Sequence, residues 1–287
     1  MLKPLLRAAH LNKGRRWYYR GGRKPDGALR MKSLSGIGRL YLRHNLDRVT
    51  KPQNVRGSIG EKSPARDFHL IDAVANTGNG LVDLWEASPV RLESNEPNTD
   101  EIIDILFPGN PLLCCGWTRH RFDTRARTAW YKLQDLQFVV PSPMAAQQGL
   151  TKQGKLSAHA LSNTGPRRFL IVEFDFDSSN SAEEVRLLEQ LDAERRDVRD
   201  LCAALLLHLA EKAPLALAVH SGGKSLHGWF YCAGVPEEKV WRFFQYAVSI
   251  GADRANWTRS QFARMPDGLR ENGRRQAVYF FNPEVVE

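Results

Sequence analysis

The chain predicts an α/β (α+β) protein in which helices pack against a sheet, and three observations predict it. From Phe169 onward, apolar runs of strand length alternate with helical stretches in the order β-α-β-β-α-β. Upstream, 67–166 mixes short strand-like runs with a helical one. The composition, 42% hydrophobic and 25% charged over 287 residues, is that of a globular chain and excludes a disordered or collagen-like one.

Asp100 to Phe107 (DEIIDILF) reads as a short helix with Asn98 and Thr99 in its cap region. Pro108-Gly109-Asn110-Pro111 breaks the chain. Leu112 to Trp117 and Leu136 to Val140 are strand-like, and the polar stretch Thr151 to Pro166 reads as a loop. Phe169 to Phe176 (FLIVEFDF) is the first strand of the second half. Ala182 to Ala213 is one long helix or two shorter ones, with Leu187, Leu191, Val198, Leu201, Leu205 and Leu209 at helical spacing. Leu215 to Val219 and Leu226 to Cys232 are two strands joined through a Gly-containing turn. Glu237 to Ile250 is a helix with Val240, Phe243, Phe244 and Ala247 inward, and Gln276 to Phe281 is the last strand. The expected organisation is a basic, Gly-rich and partly disordered arm over 1–66, an α/β module over 67–166, and a motif-bearing module over 167–287.

The formal net charge of +9 is unevenly placed. Residues 1–66 hold 17 basic and 3 acidic residues, a net +14, and the rest of the chain carries −5. Such asymmetry points to an anionic polymer or surface as partner. Within the arm, Arg15, Arg16, Trp17, Tyr18, Arg20 and Arg23 interleave guanidiniums with rings. Guanidiniums neutralise phosphates and rings stack on bases, so these residues are candidates for nucleic-acid binding. The plain alternative is a solvated tail. No apolar run reaches 18 residues, so no membrane span is expected. Four cysteines without a C-x-x-C pair, no secretory segment and no serine before Ser33 point to a cytoplasmic setting.

Three constellations carry chemistry. In Glu173-Phe174-Asp175-Phe176-Asp177, strand alternation places the three carboxylates on one face and Leu170, Val172, Phe174 and Phe176 on the other. Lined-up carboxylates repel, and a divalent cation removes that cost. The alternative is an acidic strand end paired with Arg167 or Arg168. In His220-Ser221-Gly222-Gly223-Lys224-Ser225-Leu226-His227, two glycines admit close approach of a ligand, while Lys224, Ser225 and His227 add donors suited to a triphosphate. Ala218 to Ser225 also nearly fits a P-loop, but a P-loop must open a helix and the residues that follow alternate like a strand. The third constellation, Asp253 to Arg259 followed by Phe262 to Gly268, adds a carboxylate and several guanidiniums able to grip phosphate.

Taken together, Asp175-Phe176-Asp177, then Ser225-Leu226-His227, then Asp253 resemble the archaeo-eukaryotic primase (primase-polymerase) superfamily, whose pattern is D-x-D ending a strand, S-x-H opening another, and a lone Asp after a helix. Ser221 to His227 is similar to the matching stretch in polymerase domains of bacterial end-joining ligases, and Arg264-Met265-Pro266 to plasmid and phage primases. The resemblance implies a primase-polymerase catalytic core with an N-terminal α/β module and an RRM-like module. It implies a DNA primase-polymerase that synthesises or extends primers on single-stranded DNA of a plasmid, phage or other mobile element. Asp175, Asp177 and Asp253 would hold two Mg²⁺ or Mn²⁺ ions. Ser221, Lys224, Ser225, His227 and Arg264 would bind the NTP or dNTP substrate. A replicative helicase would be a separate protein or a removed portion. Glu173 lies outside the family pattern. Cys114, Cys115 and His120 are too few and too clustered for the usual zinc spacing, so no zinc is expected. The rival readings are a non-catalytic nucleic-acid-binding protein on the same scaffold and a P-loop ATPase.

Overall fold

The computed structural model describes residues 64–92, 98–177 and 181–286, and the backbone of a short strand β1 at Trp17–Tyr19. β1 pairs antiparallel with β2, Val90–Leu92. Arg15, Arg16, Arg20 and Arg23 and the side chains of Trp17 and Tyr18 lie outside the described residues.

The central sheet is built from β8 (Phe169–Phe174), β9 (Leu215–His220), β10 (Leu226–Tyr231) and β12 (Val278–Phe281), in the order β12-β9-β10-β8 and antiparallel throughout. A second antiparallel sheet takes β3 (Leu112–Gly116), β4 (Phe122–Ala126), β5 (Phe138–Val139) and β11 (Ala263–Arg264) in the order β11-β5-β3-β4. β11 comes from beyond residue 167, so the second sheet draws on both halves of the chain. The polar stretch read as a loop holds a small pairing of β6 (Gly149–Leu150) with β7 (Leu156–Ser157). The mixture of helices and antiparallel sheet is that of an α+β protein.

Strand alternation turns the central sheet into the middle of three layers. Leu170, Val172 and Phe174 of β8 face a helical layer, while Phe169 and Ile171 face the second sheet. The helical layer comprises α1 (Phe68–Ala75), α2 (Leu81–Ala87), α4 (Ala182–Ala193), α5 (Val198–Ala210) and α6 (Glu237–Ser249). The opposite layer contains α3 (Thr99–Leu106), whose Ile102, Ile103 and Leu106 bury against the sheet. Between α3 and the sheet, Phe107, Phe169 and Trp229 meet edge to face, with centroids 5.5–6.5 Å apart.

The helical stretch 182–213 divides into two helices because both halves carry their own caps. Ser181 accepts from the Glu184 amide ahead of α4. Asp197 and Asp200 form a reciprocal capping box at the start of α5. Arg195, at φ 56°, turns the chain between them. Asp200 also accepts from the first amide of α2 at 2.9 Å, tying two helices through one carboxylate.

Three expectations are corrected. β8 ends at Phe174 rather than Phe176, so Asp175 and Asp177 stand just past the strand instead of continuing its acidic face. The last strand begins at Val278, not Gln276, because the Gln276 backbone pairs with Asp267 and Gly268 rather than with β9, while its side chain turns inward to the Gln137 and Met265 carbonyls. The β-α-β-β-α-β order is present, but β12 pairs with β9, not with β8. In an RRM-like sheet the last strand lies beside the first. Here the outer edge of β8 is left to another segment, and that places the site.

His208 on α5 is buried with its Nε2 at 2.5 Å from the Tyr246 hydroxyl of α6. Burial, with Lys212 nearby, pulls its pKa down to about 4. The unfolded chain therefore takes up a proton near its usual 6.5 that the folded chain refuses until about 4, so stability falls as pH drops through that window. Urea unfolding of the wild-type protein should lose about 2–3 kcal/mol more than His208→Gln on going from the top of this window to its bottom. Equal losses in the two proteins would show that His208 is not the group responsible.

Candidate active site

The site forms where β8 runs out. Its free edge is taken by the chain leaving α6: Ala252 bridges Phe174, and the Asp253 amide donates to the Glu173 carbonyl at 2.9 Å. Gly251 makes this return possible. Its φ is +104°, and a Cβ there would lie 2.8 Å from the Phe176 ring. Asp253 then caps a short 3₁₀ turn, Arg254–Trp257, by accepting from the Ala255 amide at 2.9 Å. Asp177 is held by its backbone, because its amide donates at 2.6 Å to Glu184, a fully buried carboxylate on α4 that also pairs with Arg66.

Asp175, Asp177 and Asp253, joined by Glu173, Arg66 and Arg254, line one cavity of about 470 Å³. Among the described residues, no group of three or more His, Cys, Asp or Glu side chains is drawn together at metal-ligand spacing. Instead the Lys224 ammonium pairs with Asp177 and lies 3.5 Å from Asp175. The hydrogen bond to Asp177 leads the effects that raise the pKa of Lys224. A cation thus already stands between the two carboxylates, and hard oxygen donors of this kind suit Mg²⁺ or Mn²⁺.

The loop after β9 supplies the second group of side chains. Gly222 has φ +76°, and the Ser221 amide closes the turn onto the Ser225 carbonyl at 3.0 Å. The Ser225 hydroxyl donates to the Ser221 hydroxyl at 2.9 Å and lies 3.4 Å from His227 Nε2. No helix follows Ser225; β10 does, and this removes the element a P-loop needs.

Glu173 does not pair with Arg167 or Arg168. Arg167 engages Glu237, and Arg168 donates to the Leu106 carbonyl. Cross-strand register sets Glu173 opposite His227, with Oε1 at 3.3 Å from Nε2, and Asn256 donates to its other oxygen at 3.2 Å. Burial alone would push the carboxyl up. The His227 imidazole and hydrogen bonds from His227, Asn256 and Ser225 outweigh it and hold the pKa at about 2. Glu173 is therefore a carboxylate at any ordinary pH. His227 is buried, and its Nδ1 has no hydrogen-bond partner among the described residues.

Arg264, on β11, stands over the Phe138 ring with its guanidinium carbon 4.9 Å from the centroid. Burial lowers its pKa, the Arg270 and Arg119 charges lower it further, and Glu173 raises it. Sequence reasoning missed Asn256, Arg270 and Arg274. Asn256 acts only through cross-chain proximity to Glu173. Arg270 and Arg274 sit in a charged turn that reads as a solvated loop, yet they donate to the Ser221 and Gly222 carbonyls at 3.3 and 3.5 Å.

No protein-family model, curated protein or solved structure matches this chain.

Proposed function

We propose that the protein is a metal-dependent nucleotidyltransferase of the primase-polymerase kind, extending or making primers on single-stranded DNA. The observation that carries this reading is the meeting of Asp175, Asp177 and Asp253, from two distant segments, on one cavity, with Lys224 of the glycine-serine loop paired to Asp177. Asp175, Asp177 and Asp253 are the residues that would hold Mg²⁺ or Mn²⁺. Bound there, the ions would neutralise phosphate charge and activate a 3′-hydroxyl.

The chain's own groups have separable tasks. Lys224, Ser225 and His227 offer donors to a triphosphate, with Ser221 bracing Ser225 and Arg264 adding positive charge behind them. Glu173 and Asn256 orient His227 and take no part in the family pattern. The incorporation assay that tests the reading uses a single-stranded template with Mn²⁺, with and without primer, and with separate ribo- and deoxynucleotide pools. DNA binding without incorporation under every condition would instead favour a non-catalytic binding protein.

Lys224 gives a prediction of opposite signs. It neutralises Asp175 and Asp177 when no other cation is present, and a triphosphate would draw it away. Lys224→Met should tighten Mn²⁺ binding to the nucleotide-free protein by about two- to fivefold, the worth of an exposed ion pair, as read by electron paramagnetic resonance of free Mn²⁺. The same variant should bind nucleotide more weakly. Weaker Mn²⁺ binding in Lys224→Met would contradict this assignment.

A further inference from the structure

The second sheet and the loop beside the cavity carry a row of guanidiniums of which the chemistry above uses only Arg264. Arg119 is exposed in the turn between β3 and β4, and its guanidinium carbon lies 5.9 Å from the centroid of the same Phe138 ring that Arg264 covers. Arg270 and Arg274 continue the row to the loop that bears Lys224, where they hold the Ser221 and Gly222 carbonyls. The Arg270 Nη1 lies 3.6 Å from where a Cβ on Gly223 would stand.

These four side chains come from three separate segments. Among the described residues none of the four forms an ion pair with a carboxylate, whereas the neighbouring Arg125, Arg127 and Arg275 all do. Arg119 and Arg270 each act on the Arg264 charge unfavourably, and the carboxylate that opposes them, Glu173, is already engaged by His227 and Asn256. Like charges gathered without counter-charge repel, and successive phosphates relieve that repulsion while each guanidinium offers paired donors to one of them.

We propose that Arg119, Arg264, Arg270 and Arg274 form a track for the sugar-phosphate backbone of a single nucleic-acid strand, leading from the β3–β4 turn to the mouth of the carboxylate cavity. A strand fits better than a free nucleotide. The row reaches an exposed hairpin turn at Arg119, and Lys224, Ser225 and His227 are already assigned to one triphosphate. The track deepens the proposed function, since it supplies that reading with the path of its template, and it places strand binding on the folded body as well as on the basic arm.

The test is binding of a fluorescent single-stranded oligothymidylate to the full chain, followed by anisotropy across a salt series. In R119Q/R270Q/R274Q the slope of log affinity against log salt should fall in magnitude by about 2, at roughly 0.7 for each phosphate that is no longer neutralised. R186Q/R195Q/K239Q removes the same charge from exposed positions outside the track and should leave the slope near that of the wild type. Binding of dTTP by calorimetry should be unchanged in R119Q, since Arg119, unlike Arg270 and Arg274, does not hold the loop that bears Lys224. An unchanged slope in the first variant, or an equal fall in both, overturns the track. So does loss of dTTP binding with strand affinity retained, which would make the row a nucleotide site. Should the triple variant unfold, R119Q alone, at an exposed turn, is expected to lower the slope by about 0.7, and no change there overturns the proposal. Strand binding and incorporation are read separately, so a protein that binds along the track but never incorporates nucleotide defeats the enzyme reading and leaves the track standing.

Discussion

Asp175→Ala combined with Asp177→Ala should abolish nucleotide incorporation, with a loss of at least about a thousandfold, because a metal clamp on transferred phosphate is worth several kcal/mol of barrier. The fold should survive. Both side chains are nearly half exposed and stand beyond the end of β8, where no apolar packing depends on them. Thermal unfolding should therefore stay close to the wild type while primer extension disappears. Asp253→Ala should have the same catalytic effect with a modest further loss of stability, since it removes the cap on the Arg254–Trp257 turn. Synthesis that persists in the double variant would show that the assignment of the carboxylates is wrong.

Gly251→Val should be strongly destabilising, costing about 3–5 kcal/mol from backbone strain and overpacking together. The position combines a φ of +104° with a Cβ location 2.8 Å from the Phe176 ring. That ring is itself buried and stacked parallel to Phe174 at 6.3 Å, so it has little room to yield. The substitution should also lower incorporation, because relief of the clash moves Ala252 and Asp253 away from β8. Gly234→Ala is the comparison: its φ is +76° but nothing lies within 4 Å, so only conformational strain applies, at about 1 kcal/mol. Urea unfolding separates the two, and equal effects at both positions would show that contact with Phe176 is unimportant.

The strands and helices of the second half are legible in the sequence because each has its own local signal. Phe169–Phe174 is apolar at every position but Glu173, α5 repeats leucine at helical spacing, and α4 and α5 each open on a capping side chain. The sequence leaves open whether 182–213 divides into two helices, since the deciding residue, Arg195, carries a positive φ that its residue type does not announce. It also carries the end of β8 two residues too far, because Phe174 and Phe176 continue the alternation although the pairing with β10 stops at Phe174–Leu226.

The candidate site divides in the same way. The acidic and glycine-serine-lysine motifs are contiguous, so local chemistry alone makes Asp175, Asp177, Lys224, Ser225 and His227 candidates. The partner of Glu173 is His227 because two strands separated by more than fifty residues share a register, and Asn256 completes that contact from a third segment.

By itself the sequence determined the class of the fold, the candidate residues for binding cations and phosphates, and the concentration of positive charge in the first 66 residues. These follow from side-chain chemistry and from periodicities of two and 3.6 residues, which act over short stretches. Only the tertiary structure decided that β12 lies beside β9, that Ala252 and Asp253 take the free edge of β8, that Lys224 stands between Asp175 and Asp177, and that Arg119 and Arg264 share one ring. Each of these joins segments far apart in the chain, set by which faces can be buried together, and no local pattern encodes it.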